Sequence, residues 1–287
     1  MKTIGIIAHI DRSLVRETGE RIINWSENNG LKCRLCSRLV DLIGRKDIAI
    51  AREEDWKSCD AIITLGGDGS MLASARSYGK YGVPIVGINL GKLGFLTEVN
   101  QNQIESSLSN LKEDRYKIEE RMVLESTVPW SDSPVYTLND VVVDHGQVIG
   151  LAKIDLFSDG EFVCSYDSDG VIVATPTGST AYTLSVGGPV IHPQMDAIAV
   201  SPVSPHTLTL RTIIFPGNTV LKIRSGSTDR RLRVASDGQL IGELESGQEV
   251  SIREAGYKLK LIKFESRSFY EVLRTKLHWG ARPLFNT

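Results

Sequence analysis

Apolar residues fall in short β-branched runs over the first third of the chain, at 3–8, 31–36, 60–65 and 84–89. Between some of them stand stretches whose apolar positions recur at helical spacing. Residues 11–29 carry Leu14, Val15, Ile22, Ile23 and Trp25 on such a period and stop at Gly30, a natural helix terminator. Helical stretches are also predicted around 52–57 and 70–80, and the alternation of strand and helix implies a parallel sheet with crossover helices. In such sheets ligands gather beyond the carboxyl ends of the strands. Two glycine-rich loops fall at such ends, Gly66-Gly67-Asp68-Gly69 and the segment 89–98.

After about Arg115 the pattern changes to short β-rich runs broken by turns, at 136–143, 152–157, 170–174, 209–215, 219–223, 230–235, 249–253 and 257–264. Asp159-Gly160, Asp237-Gly238 and Ala255-Gly256 are suitable hairpin turns, so an antiparallel sandwich is predicted. Phe269, Val272, Leu273 and Leu277 share one face of a terminal helix that is expected to return to the first domain. The expected organisation is an α/β domain over 1–115, a β-rich domain over 116–264, and a helix and tail over 265–287. A length of 287 residues suits two domains.

With 33 basic and 35 acidic residues the formal charge is −2, which provides no global field for nucleic acid or an anionic membrane. Anion recognition must therefore be local. The first apolar run is too short for a signal peptide, and no stretch reaches transmembrane length, so a cytoplasmic protein is expected. Cys33, Cys36, Cys59 and Cys164 do not make the framework of a secreted domain, and the single C-x-x-C at Cys33 and Cys36 has no second pair to complete a zinc site. His145, His192 and His206 lack metal spacing and read as loop or hydrogen-bonding residues.

The chemistry concentrates in two places. Asp68 stands among glycines after a buried strand, where backbone N–H groups suit a phosphate but a carboxylate does not. It has to act as proton acceptor, hydroxyl anchor or turn residue. The second place is residues 167–189, a strand followed by a turn rich in hydroxyls: Ser179, Thr180, Thr183 and Ser185, with Tyr182 and with Gly178, Gly187 and Gly188 keeping side chains out of the way. Such a set fits the ribose hydroxyls, amide edges and base of a nucleotide. Taken alone it also fits local turn formation and capping.

The loops Gly66-Gly67-Asp68-Gly69, 89–98, Asn139-Asp140 and Thr175-Pro176-Thr177-Gly178-Ser179-Thr180-Ala181-Tyr182 occur in the order found in NAD kinases. The chain closely resembles the bacterial members of that family, ATP-dependent NAD 2′-phosphotransferases. The resemblance runs from the first strand to Leu277 and includes Gly187-Gly188-Pro189, Ser204-Pro205-His206-Thr207-Leu208 and Ser236-Asp237-Gly238-Gln239. It implies an α/β nucleotide domain and a β-rich domain with the active site between them, usually in a homotetramer or homodimer. It also implies transfer of the γ-phosphoryl of ATP to the 2′-hydroxyl of the adenosine ribose of NAD, with Mg²⁺ carried on the nucleotide phosphates and no protein metal cage.

By the same resemblance Asp68 accepts or orients the 2′-hydroxyl proton, with Gly67 and Gly69 shaping the loop by the transferred phosphate. Asn139 and Asp140 take the adenosine end. Thr180, Ala181, Tyr182 and Ser185 fall on the NAD-binding segment, Asp169 meets the nicotinamide amide or its ribose, and Gln239 closes the pocket from the sandwich side. Phe95 reads equally as a wall of the site or as a core aromatic. Three positions depart from the family pattern: Asp140 replaces a glutamate, and Gly150 and Asp167 stand where some relatives carry basic or histidine side chains. Lys153, Arg211 or a neighbouring subunit then remain as sources of positive charge. A lipid kinase would share the first loop, and a non-catalytic NAD(H)-binding regulator would share the hydroxyl-rich pocket. The former has no use for Asn139-Asp140 with 180–185, and the latter has none for Asp68.

Overall fold

The computed structural model describes residues 1–9, 13–91, 94–146, 150–207, 209–226, 231–264 and 268–279. They divide into two units, Met1–Glu119 together with Lys260–Thr287, and Glu120–Leu259. Among the described residues no helix is long and apolar enough to cross a membrane.

The first unit contains β1 (Thr3–Ala8), α1 (Ser13–Asn28), β2 (Lys32–Leu35), α2 (Ser37–Ile43), β3 (Ala61–Gly66), α3 (Asp68–Tyr78), β4 (Ile85–Asn89), β5 (Val99–Asn100), α4 (Ile104–Lys112) and β6 (Lys117–Arg121). Every residue of β3 and of β4 is buried, as expected for strands covered on both faces. The sheet runs β2-β1-β3-β4, with β1–β2, β1–β3 and β3–β4 all parallel. The order turns back between β1 and β3, so their carboxyl ends flank the crevice where such sheets bind ligands. The stretch around 52–57 is a short 3₁₀ helix, Glu53–Ser58, rather than an α-helix, while α2 and α4 complete the set of crossovers. Residues 11 and 12 of the first predicted helix lie outside the described residues.

The second unit contains β7 (Leu124–Val128), β8 (Ser131–Thr137), β9 (Asp140–Asp144), β10 (Ala152–Ser158), β11 (Glu161–Ser168), β12 (Gly170–Ala174), α5 (Tyr182–Ser185), β13 (Ala197–Val203), β14 (Ile213–Pro216), β15 (Leu221–Ser225), β16 (Leu232–Ser236), β17 (Gln239–Leu244) and β18 (Glu249–Glu254). Two sheets form, β11-β10-β15-β18-β7-β8 and β14-β13-β12-β9-β16-β17. Leu124, Ile154, Ile223 and Ile252 of the first and Val141, Val143, Val171, Val173 and Val234 of the second share one core. The second sheet also buries its other face, where Val142, Ile172, Ala174 and Ala199 pack with Ile191 and Val186. The hydroxyl-rich segment therefore lies on the outer face of that sheet.

Two strand assignments differ from the sequence pattern. Residues 136–143 are not one strand: β8 ends at Thr137, β9 begins at Asp140, and the two belong to different sheets, so Leu138 and Asn139 form the corner. The run 257–264 becomes β19 (Leu259–Lys263), which pairs parallel with β4 in the first unit rather than with the sandwich. Ala255-Gly256 is accordingly a link between sheets and not a hairpin, since β18 pairs with β7 and β15. Asp159-Gly160 and Asp237-Gly238 do close hairpins, β10–β11 and β16–β17, with positive φ at all four residues. A terminal helix, α6 (Phe269–Leu277), starts at a capping box formed by Ser268 and Glu271.

Candidate active site

In the first unit the site is built around a carboxylate. α3 begins directly after β3, which places Asp68 in the helix's first turn at the carboxyl edge of the sheet. Asp68 Oδ2 accepts the Phe95 backbone N–H at 2.7 Å, and Oδ1 accepts those of Leu96 and Thr97 at 3.0 and 3.3 Å. The two glycine-rich ends are thus joined by one side chain. A carboxylate offers about four lone-pair positions, so about one is left, on Oδ2.

The approach is close enough to dictate a neighbour. A Cβ at position 94 would lie 1.8 Å from Asp68 Oδ1, whereas one at Gly67 or Gly69 would meet nothing within 4 Å. Gly94 is therefore required by the carboxylate, while Gly67 and Gly69 leave open space beside it. Lys92 and Leu93 of this loop lie outside the described residues.

Glu98, its side chain 2% exposed, is held by Lys263 at 2.5 Å and accepts the Phe264 backbone N–H at 3.0 Å, fastening the loop to β19. Phe95 is neither core nor bare wall: its ring is half-buried with Lys276 Nζ of α6 5.5 Å from its centroid. At the end of β1, His9 Nε2 lies 2.9 Å from Ser74 Oγ. Burial foremost, then the charges of Arg38 and Arg76, hold the His9 imidazole below its ordinary pKa, so positive charge gathers at the sheet's turning point.

In the second unit Asp237 plays the part that Asp68 plays in the first. Its Oδ1 accepts the backbone N–H groups of Asn139 and Asp140 at 2.7 and 3.4 Å, and its Oδ2 accepts that of Leu138 at 3.1 Å. On the other side the Thr175 hydroxyl donates to the Leu138 carbonyl at 2.6 Å, and Thr175 N–H to the Asn139 carbonyl at 2.9 Å. A Cβ at Gly178 would lie 2.0 Å from the Asn139 carbonyl oxygen. The corner is gripped through its backbone, leaving the Asn139 amide without a partner among the described residues. Asp140 is 5% exposed. Burial first, and the Asp237 carboxylate second, push its carboxyl up to about 7, while the Tyr182 backbone N–H favours the charged form.

The hydroxyl-rich segment separates into two kinds of residue. Ser179 is buried and bonds to Pro176 O, Ile191 O and Ile191 N, and Thr180 donates to Thr177 O at 3.2 Å. These bonds are local, as the turn-forming reading of the segment has it. Ser185 and Tyr182 are exposed and Ala181 half-buried at the start of α5, presenting a hydroxyl and a ring face outward. Gln239 is exposed one residue beyond the Asp237-Gly238 turn. Asp169 lies between β11 and β12, with His145 Nε2 3.3 Å from its Oδ1.

Gly150 is exposed just before β10 with φ of 119°. Lys153 and Asp167 stand opposite each other in the β10–β11 register, so the charge offered by that lysine faces an opposite one. The exposed Arg211 donates to the Leu210 carbonyl at 2.7 Å. Sequence reasoning passed over Gly94, Glu98, the carboxylate of Asp237 and the histidine beside Asp169. Only Glu98 left a signal, an acid inside the apolar run Phe95-Leu96-Thr97-Glu98-Val99.

Profiles of known families bear on this arrangement directly. The ATP-NAD kinase N-terminal domain matches residues 4–116 and the ATP-NAD kinase C-terminal domain residues 138–264. The chain belongs to the NAD kinase family. An NAD kinase of Azotobacter vinelandii is 39% identical over 286 residues, covering 98% of this chain and 97% of that protein. One of Ectopseudomonas mendocina is 39% identical with the same coverage. Among solved structures, yeast NADH kinase complexed with NADH is alike in fold, with a TM-score of 0.90 at 24% identity over all of this chain and 90% of that one. An NAD kinase from Archaeoglobus fulgidus in complex with ATP has a TM-score of 0.75 at 22% identity, covering 96% of this chain and 98% of its own.

Proposed function

We infer that this NAD kinase transfers the γ-phosphoryl of ATP to the 2′-hydroxyl of the adenosine ribose of NAD, giving NADP and ADP, with Asp68 as the group that receives or orients the hydroxyl proton. The supporting observation is the state of its carboxylate: three backbone N–H groups hold it rigidly and leave about one lone pair, on Oδ2. That resolves the electrostatic puzzle of an acid in a phosphate loop, because the free lone pair accepts from a hydroxyl while Gly67 and Gly69 leave room for the phosphoryl group. Phosphoryl transfer asks mainly for alignment and charge neutralisation. Mg²⁺ carried on the ATP phosphates would supply the latter. Arg38 and Arg76 around His9 support an anion at this edge of the sheet.

On the acceptor side, Asn139 presents its amide and Asp140 its carboxyl to the adenosine end, Thr180, Ala181, Tyr182 and Ser185 line the NAD segment, Asp169 meets the nicotinamide end, and Gln239 and Phe95 bound the site. Gly150 and Asp167 belong to the same binding region without a phosphate clamp of their own. Oligomerisation into a homodimer or homotetramer is part of this reading. It is supported by Phe162, Ile214 and Leu240, large apolar side chains exposed on the edge strands β11, β14 and β17. A cytoplasmic setting suits the four free thiols.

The test is incubation of the purified chain with NAD, ATP and Mg²⁺, with NADP read out by a strictly NADP-dependent dehydrogenase. NADP formation is expected from the wild type, and a loss of about 10²- to 10⁴-fold from Asp68→Asn. No NADP, or an undiminished rate from Asp68→Asn, overturns the mechanism.

A further inference from the structure

His145 follows β9 and has no role in the reading above. Its side chain is 13% exposed, while that of Asp169 beside it is 47% exposed. The two residues are joined twice. The His145 backbone N–H donates to the Asp169 carbonyl at 3.2 Å, and ring Nε2 stands 3.3 Å from Asp169 Oδ1. A carboxylate only accepts, so Nε2 carries the proton in this contact. Nδ1 is buried with no partner among the described residues. The ring therefore directs its one hydrogen bond at Asp169 and satisfies no other polar group. The Asp169 backbone N–H is fixed to Val203 O at 3.0 Å, and Asp169 Oδ2 has no partner among the described residues.

We propose that His145 is a positioning residue for NAD: it holds Asp169 by Oδ1, so that Oδ2 faces outward to receive the carboxamide N–H or a ribose hydroxyl of the nicotinamide end. The inference rests on the placement of Asp169 at that end. Its physical basis is preorganisation. An exposed carboxylate otherwise turns freely about two torsions, and fixing it before the ligand arrives removes an ordering cost from binding. A hydrogen bond to an ionised acceptor is strong enough to do this. The nicotinamide end is remote from the 2′-hydroxyl that reacts, so the effect belongs in KM for NAD and not in kcat.

The test compares His145→Leu, His145→Gln, Asp169→Asn and the double variant His145→Leu/Asp169→Asn, with melting temperature as a check on folding. The readouts are KM for NAD, kcat, and the inhibition constant of adenosine monophosphate, which occupies only the adenosine end. His145→Leu is expected to raise KM for NAD about tenfold, with kcat and the inhibition constant within about twofold of wild type. His145→Gln, whose amide N–H reaches a similar distance, recovers most of the loss. In the Asp169→Asn background the leucine change adds less than about twofold, because its partner charge is already gone. An unchanged KM in His145→Leu, full multiplication of the two effects, or a parallel rise in the adenosine monophosphate constant overturns the proposal. If Asp169→Asn itself leaves KM unchanged, the placement of Asp169 fails, and the proposal falls with it for a reason separate from the histidine contact.

Discussion

Asp140 and Gly94 set the chemistry at the scale of single residues. Asp140 is buried next to Asp237 and its carboxyl is pushed from the ordinary 3.8 to about 7. Between those values the unfolded chain gives up the proton while the native state keeps it, so the stability contributed by Asp140 falls as pH rises through this window. At about 1.4 kcal/mol per pH unit, the ionised form costs the native state a few kcal/mol above neutral pH. Asp140→Asn is accordingly expected to match wild-type stability near pH 4 and exceed it by a few kcal/mol at pH 8. Urea denaturation at the two pH values decides this, and a difference independent of pH would refute it. Gly94→Ala puts a Cβ where Asp68 Oδ1 now lies. It is expected to displace the carboxylate and lower kcat by about 10²-fold or more, with circular dichroism unchanged.

Elements bring these residues to their stations. The 94–98 loop is fastened at one end by Asp68 and at the other by the buried Glu98–Lys263 pair from β19. Removing one member strands the other's charge. Lys263→Met is expected to cost about 3–5 kcal/mol in urea denaturation, and Glu98→Leu/Lys263→Met together to cost clearly less. A double variant as unstable as the single one would show that the charge is not what matters. α6 carries Lys276 over Phe95, the residue whose N–H holds Asp68. Lys276→Ala is expected to lower kcat severalfold more than Lys276→Arg does, since a cation over the ring steadies the loop. Equal effects from the two substitutions would show that the charge is dispensable. The periodicity of 269–277 made α6 legible in advance, because a face of Phe269, Val272, Leu273 and Leu277 needs only local spacing. Nothing local marked Lys263 or Lys276 as neighbours of the loop. Both lie more than 160 residues beyond it in the chain.

Across the whole molecule, the three sheets leave apolar side chains on edge strands, Phe162, Ile214 and Leu240. Placing Lys at all three is expected to shift the species seen by light scattering toward smaller assemblies, and an unchanged mass would remove these edges from the interface. The chain by itself determined the two architectures, since strand and helix periods, turn dipeptides and buried runs are short-range signals. It also determined the chemical inventory: a glycine-flanked carboxylate, an amide beside an acid, and a hydroxyl-rich turn. The tertiary structure alone decided how that inventory is used. It split 136–143 into two strands and made Asn139 a corner. It moved 259–263 into the parallel sheet beside β4. It spent Ser179 on local bonds while leaving Ser185 and Tyr182 facing outward. Above all it set Asp68 and Asp237 each on three consecutive backbone N–H groups, of 95–97 and 138–140. Backbone donors carry no residue code and their alignment depends on chain folded from far away, so no pattern of side chains along the sequence announces them.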